Sequence, residues 1–288
     1  MKKYLVIVAG SPRGGERTWS SLKKYVLDYL DADLAICCSD KWDQSTTLFK
    51  IAKYKWIFKE FKDYFEYYDN NFIGSWKEYF ELGEHTGLKS SGSIHFVFKD
   101  IVLKKYLNYL IDYEYIIYTR FDQLYVDYHP KGVKGKILIP SGEDYFGICD
   151  RHAIFDSKLS QNFLNICNYV NSKKALQNAS NFENCETTFM KALINENVDK
   201  LVERYSRSQF TANIKNEHTN WRVAKYKLYL MSNLMIKYPD EFIDSFNNII
   251  KKYGLNYSLK KEFLLTLNYL YLRFRTKLGK YKWKKNMS

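Results

Sequence analysis

The sequence lacks any apolar run near the ~20 residues that a bilayer span requires. Its first stretch, MKKYLVIVAGSPRGG, holds too short an apolar segment for a secretory signal. Cysteines number five, and none are in a Cys-x-x-Cys spacing; Cys37 and Cys38 are adjacent and the others scattered. A disulfide scaffold and a zinc site are thereby disfavoured, and free thiols in a reducing compartment are expected. Internal repeats and low-complexity segments are also missing. The expectation is a soluble, cytoplasmic protein.

What is present fits a folded chain. Its 288 residues can bury a sizeable core, as one large domain or one domain plus an appendage. Aromatics at 18% beside 27% charged residues argue against disorder. The net charge of +13 suggests a polyanionic partner until its distribution is read. Residues 223–288 hold 14 Lys and Arg against 4 Asp and Glu, a balance of +10. The preceding 222 residues hold 31 against 28, a balance of only +3. The excess belongs to the tail, so nucleic acid is not the expected partner.

Lys3 to Ala9 reads as a first core strand, nearly continuous in apolar residues, as parallel strands covered on both faces are. It breaks at Gly10-Ser11-Pro12-Arg13-Gly14-Gly15, ahead of an amphipathic helix from Thr18 to Tyr29 with Thr18 as N-cap. A glycine-rich turn there lets backbone N–H groups approach an anion, and Arg13 adds charge. A tight turn with a surface arginine is the plainer alternative. Asp33 to Cys38 reads as a second strand. Residues 41–85, with Trp42, Trp56 and Trp76, read as helical or irregular core and cover. Ser90 to Ser93 opens a helix from Ile94 to Leu110, with Ser93 near its N-cap.

The chain is organised around Glu114 to Phe155. Tyr115 to Thr119 is a buried-strand run ending in Arg120-Phe121-Asp122-Gln123. A second run, Lys136 to Pro140, stops before Gly142, Glu143 and Asp144. A third, Phe146 to Cys149, runs into Asp150-Arg151-His152. Charged groups at the carboxyl ends of buried strands lie where open α/β sheets bind ligands. Three such ends suggest a polyanion or metal site.

Further on, a helix from Ser157 to Tyr169 leads through a polar linker to Glu183 and Glu186, before a helix from Thr187 to Ile194. Acidic residues at a helix start are favoured by the macrodipole, so capping competes with a catalytic role for them. Leu201 to Ile214 reads as one or two strands, followed by His218. From Arg222 the pattern is helical to the end, broken at Tyr238-Pro239-Asp240 and at Lys252 to Asn256. The last helix, Leu259 to Leu278, has a basic, aromatic finish from Arg273 to Lys285. It suits either a small helical appendage packed on the sheet or a peripheral contact with anionic lipid headgroups.

One pattern spans these blocks: Thr119-Arg120-x-Asp122, His129-Pro130, Ile139-Pro140-x-Gly142-Glu143-x-Tyr145, and Gly147-Ile148-x-Asp150-Arg151-His152. It resembles sugar-nucleotide-dependent glycosyltransferases of the GT-A type, and more narrowly a group found in fungi, algae and large viruses. The opening stretch from Gly10 to Leu22 also resembles that group and the related WavE-like lipopolysaccharide-synthesis enzymes. The resemblance covers roughly residues 1–222.

It implies an α/β fold, a GT-A-like, Rossmann-related, mostly parallel sheet flanked by helices, over residues 1–222, with a basic helical region at 223–288. It implies transfer of a sugar from a nucleoside diphosphate donor, a UDP-sugar by expectation, to a glycan, glycolipid or glycoprotein hydroxyl. Gly10, Ser11, Arg13, Ser93, Arg120, Asp122 and Gln123 would then contact the donor. Glu143, Asp144, Arg151, His152 and Glu183 would contact sugar or acceptor. Asp150 would accept sugar hydroxyls, and Glu186 would be the base. GT-A enzymes carry Asp-x-Asp where this chain has Arg120 and Asp122. Either Mn²⁺ or Mg²⁺ sits on Asp122 and His218, or Arg120 neutralises the diphosphate directly. The competing classes are a non-catalytic binder of nucleic acid or anionic membrane, and a degenerate transferase kept as a binding module.

Overall fold

The computed structural model describes residues 2–83, 85–180, 182–214, 226–227 and 233–287. The chain divides into two compact units. The first comprises residues 1–12, 27–121 and 130–205; the second takes residues 13–26, 122–129 and 206–288. The boundary expected at Arg222 lies outside the described residues.

The first unit is built on a seven-stranded sheet. Its strands are β1 (Tyr4–Ala9), β2 (Asp33–Ser39), β3 (Tyr54–Phe58), β4 (Tyr115–Thr119), β6 (Ile137–Pro140), β7 (Ala153–Asp156) and β8 (Val202–Tyr205). They lie in the order β3-β2-β1-β4-β7-β6-β8. Only β7 runs against its neighbours. The six residues of β1 and the five of β4 are all buried, as strands covered on both faces must be. Val8 pairs with Thr119 and Ala9 with Cys37, so β1, β2 and β4 finish at one edge. Helices flank the sheet, among them α2 (Ser93–Ile111) and α3 (Cys185–Asn195). The aromatic stretch 41–85 supplies much of the core, through Tyr68, Trp76, Tyr79 and Phe80. It also supplies β3, a strand that the sequence reading did not anticipate. Lys55 interrupts its apolar pattern, which an edge strand tolerates.

The third expected strand lies elsewhere. Phe146 to Cys149 is not a strand: Tyr145 and Phe146 have positive φ (42° and 69°), and Phe146 is 88% exposed. The strand is β7, which follows Asp150-Arg151-His152 instead of preceding it. Because β7 is antiparallel to β4, with Tyr118 opposite Ala153, its start lies beside the end of β4. The three charged residues still reach the expected edge, from the opposite chain direction.

The second unit has an antiparallel sheet in the order β10-β11-β9-β5. These strands are β5 (Gln123–Tyr125), β9 (Gln209–Ile214), β10 (Tyr226–Lys227) and β11 (Leu234–Ile236). The chain after Arg222 is therefore not wholly helical. Helices α4 (Pro239–Tyr253), α5 (Leu255–Lys261) and α6 (Phe263–Met287) complete the unit. Phe210, Phe242, Phe246 and Tyr269 form its core. Pro239 starts α4 at the first helical position, where its missing N–H costs nothing. Helix α1 begins at Gly15 and runs to Leu22, so Thr18 is not its N-cap. The Thr18 hydroxyl instead donates to the Gly15 carbonyl at 2.9 Å. No helix among the described residues is long and apolar enough to cross a membrane. Of the basic finish, the side chains from residue 276 onward lie outside the described ones.

Candidate active site

In the first unit, charge gathers at the carboxyl end of β4. Arg120, half-buried, donates from Nη1 to Nε2 of His95 at 3.2 Å. His95 and Lys99 stand four residues apart on α2, one turn of one face. Lys99 is wholly buried, and its Nζ has no hydrogen-bond partner among the described residues. It lies 4.0 Å from the ring centre of Phe189, 5.1 Å from Phe163 and 5.5 Å from Tyr118. Burial pushes its ammonium down to about 8, against the opposing charge of Asp150.

Asp150 is the anion of this cluster. It is 2% exposed, and its Oδ2 has no hydrogen-bond partner among the described residues. Burial is the largest influence and drives its carboxyl upward. The positive charges of Lys99, Arg151 and Arg120 outweigh that and hold it below the usual carboxylate range. That oxygen is also closed off from solvent, so the carboxylate is a buried, uncompensated acceptor.

The loop from Ser141 to His152 carries this carboxylate, and internal bonds set its shape. Arg204 Nη2 holds both oxygens of Asp144 at 2.6 and 2.7 Å. The N–H of Cys149 donates to Asp144 Oδ1 at 3.1 Å, and Arg151 Nη2 donates to the Glu143 carbonyl at 3.3 Å. Positive φ at Glu143, Tyr145 and Phe146 stores strain of the kind found at functional sites, about 1–3 kcal/mol per residue. Asn184 Nδ2 donates to the Tyr145 carbonyl at 2.8 Å, and the Ile148 N–H donates to the Glu186 carbonyl at 3.2 Å. These bonds seat the loop against the start of α3.

Other expected site residues serve the scaffold. Glu183 is fully buried, and its carboxylate accepts from Lys191, the Ser180 N–H and hydroxyl, Tyr79 and Thr187. Asn184, not an acidic residue, caps α3 in a reciprocal box with Thr187. His152 is buried with its ring edge-on to Tyr205, 6.4 Å between centres. Ser93 donates to the carbonyls of Lys89 and Ser90 at 2.9 and 3.0 Å, inside a continuous helical path and not as a cap.

Gly10 and Ser11 follow β1 in the first unit, whereas Arg13, Asp122 and Gln123 belong to the second. There the Gly14 N–H donates to Asn213 Oδ1 at 2.9 Å. A Cβ on Gly14 would meet Thr18 Oγ1 at 2.4 Å, and one on Gly15 would meet Ile214 Cδ1 at 2.4 Å. Close packing thus accounts for both glycines. Gln123 Nε2 donates to Thr211 Oγ1 at 2.9 Å between paired strands. Asp122 is buried, and its carbonyl accepts from the Ala212 N–H. Its expected metal partner, His218, lies outside the described residues. Among the described residues no three His, Cys, Asp or Glu side chains gather as a metal cluster. The described donors do not by themselves make up a Mn²⁺ or Mg²⁺ site.

Lys99 and His95 were not anticipated. Their signal was two basic side chains at helical spacing within the apolar run Ile94-His95-Phe96-Val97-Phe98-Lys99.

The sheet defines the class: a mixed α/β protein with a mostly parallel seven-stranded sheet flanked by helices. No family model and no curated protein matches the chain. Among solved structures it is similar to mouse xyloside xylosyltransferase 1 in its apo form, at 11% identity and a TM-score of 0.35. That likeness covers 71% of this chain and 85% of the other.

Proposed function

We propose that the chain is a glycosyltransferase, moving a sugar from a nucleoside diphosphate sugar, a UDP-sugar first among them, to a hydroxyl of a glycan, lipid or protein. The observation that carries the proposal is Asp150: a buried, ionised carboxylate set among Lys99, His95, Arg151 and Arg120 at the carboxyl edge of the sheet. In this reading Asp150 accepts hydrogen bonds from hydroxyls of the transferred sugar. Arg120 offsets charge that develops on the departing diphosphate. Arg151 shapes the loop through the Glu143 carbonyl. Glu186 takes the proton of the acceptor hydroxyl as the new glycosidic bond forms and the sugar–phosphate bond breaks.

Arg13 and Asp122 are proposed as further donor contacts, each tested by its own substitution. A divalent cation on Asp122 and His218 is retained as an addition to the proposal, and no step is routed through it. The peripheral membrane contact of the basic tail is likewise a separate proposal, tested by sedimentation with anionic vesicles.

A thermal-shift screen of nucleoside diphosphates and their sugars, with and without Mn²⁺, tests the reading, because a ligand that binds only the native state stabilises it by mass action. Stabilisation by one nucleotide series is expected. Glu186→Gln should then abolish transfer and leave donor binding intact. Unchanged turnover would remove Glu186 from the mechanism, and a screen with no stabilising nucleotide would overturn the proposal.

A further inference from the structure

Asp150 Oδ2 is buried, with no hydrogen-bond partner among the described residues. An acceptor so placed has given up its bonds to water for nothing, and calls for an explanation. The loop that carries it, Ser141 to His152, is costly in other ways too. Glu143, Tyr145 and Phe146 hold positive φ, and Phe146 leaves its ring exposed. Strain of this kind persists only where the surrounding structure imposes it.

Several of the restraints meet at Asp144, and through it at Arg204 of β8. Arg204 Nη2 donates to Asp144 Oδ1 at 2.6 Å and Oδ2 at 2.7 Å, and to the Pro140 carbonyl, at the end of β6, at 2.9 Å. Asp144 passes the restraint on. Its Oδ1 accepts from the Cys149 N–H at 3.1 Å, and its carbonyl from the Gly147 N–H at 2.7 Å. The side chains of the ion pair are 32% and 37% exposed, so this fastening is weak and reversible. A strained loop with an unsatisfied acceptor is thus held shut by a surface pair. Segments of that make-up open locally without global unfolding.

We propose that this loop is a lid, that Arg204 is the positioning residue that latches it through Asp144, and that opening brings Asp150 to its ligand. A ligand hydroxyl admitted by opening gives Oδ2 the donor it lacks among the described residues, and the loop shuts on it. Arg204 touches no substrate; it acts through Asp144. That the hydroxyl is a sugar's rests on the proposed sugar-nucleotide reading, and the test separates the two.

The first arm needs no ligand. Cys149, Cys37 and Cys167 are buried in one core, yet only Cys149 rides on the loop. Their alkylation by iodoacetamide is followed thiol by thiol by mass spectrometry. In the wild type Cys149 should react faster than Cys37 and Cys167, which wait for larger unfolding. Arg204→Ala should speed Cys149 by about threefold, the worth of a partly exposed pair, and leave the other two unchanged. All three bonds of the latch come from one nitrogen, so Arg204→Lys should restore the wild-type rate. Asp144→Asn should act as Arg204→Ala does, and carries the test if that variant does not fold. Cys149 reacting no faster than Cys37 and Cys167 would overturn the proposal. So would a Cys149 rate unmoved by these substitutions, or a rise shared by all three thiols.

The second arm repeats the alkylation with saturating UDP-glucose, or whichever sugar nucleotide gives the largest thermal shift. Bound ligand should slow Cys149 by about threefold in the wild type, because it stabilises the shut loop. An unchanged or faster rate with ligand bound would contradict the lid. If the wild type binds no sugar nucleotide, the functional reading fails and the first arm alone decides the lid and its latch.

Discussion

Gly147 and Glu186 meet backbone to backbone. A Cβ on residue 147 would lie 2.1 Å from the Glu186 carbonyl oxygen and 2.4 Å from the Thr187 nitrogen. The loop bearing Asp150 is thus seated against the first turn of α3 at a point that admits only glycine. Gly147→Ala must push backbone from backbone, with no flexible side chain to give way. Overpacking of this kind costs about 1–3 kcal/mol, and a rigid contact belongs at the upper end. Chemical denaturation should show that loss. A variant as stable as the wild type would mean that loop and helix separate easily.

Arg207 and Glu241 form a buried pair in the second unit, 3.0 Å between Nη1 and Oε1, with side chains 2% and 0% exposed. The second oxygen of Glu241 accepts from the Thr211 N–H at 2.7 Å, so α4 is fastened to β9. Arg207→Ala strands the carboxylate and should cost about 3–5 kcal/mol. Replacing both residues with apolar ones should cost less than Arg207→Ala alone. The double-mutant cycle in urea checks both statements.

Glu183 links pH to stability. Burial drives its carboxyl up, but Lys191 and Ser180 outweigh burial and hold it below its ordinary 4.5. A carboxyl depressed in the folded state contributes stability that is fully present above 4.5 and is lost as pH falls through the folded value. Glu183→Gln should flatten the acid limb of the stability curve below pH 4.5. At neutral pH it should cost about 2 kcal/mol, the worth of hydrogen bonds to a charged group. An acid limb identical to the wild type would place that linkage elsewhere.

Much of the first sheet was legible because β1, β2 and β4 are short, buried and unbroken in apolar residues; β4 was read to the residue. β3 was hidden by Lys55, and β7 was displaced by one loop because Phe146-Gly147-Ile148-Cys149 imitates a strand. Only the packing of Gly147 and the positive φ before it reveal the turn. The strands after residue 222 escaped because they are short and are joined to the sheet only through β11 on β9, a pairing no local pattern carries. Asp150 and Arg151 stood out as charges beside an apolar run. Glu183 and Ser93 have the residue types of a site, yet their bonds serve helix ends and turns.

The most direct test of the account is calorimetric titration of the chain with UDP and with a UDP-sugar, for the wild type and for Asp150→Asn. Saturable binding of both ligands to the wild type is expected. An at least tenfold loss for the UDP-sugar in Asp150→Asn is expected too, with little change for UDP, because this carboxylate is assigned to the sugar. Equal affinity of both proteins for the UDP-sugar would contradict the central claim.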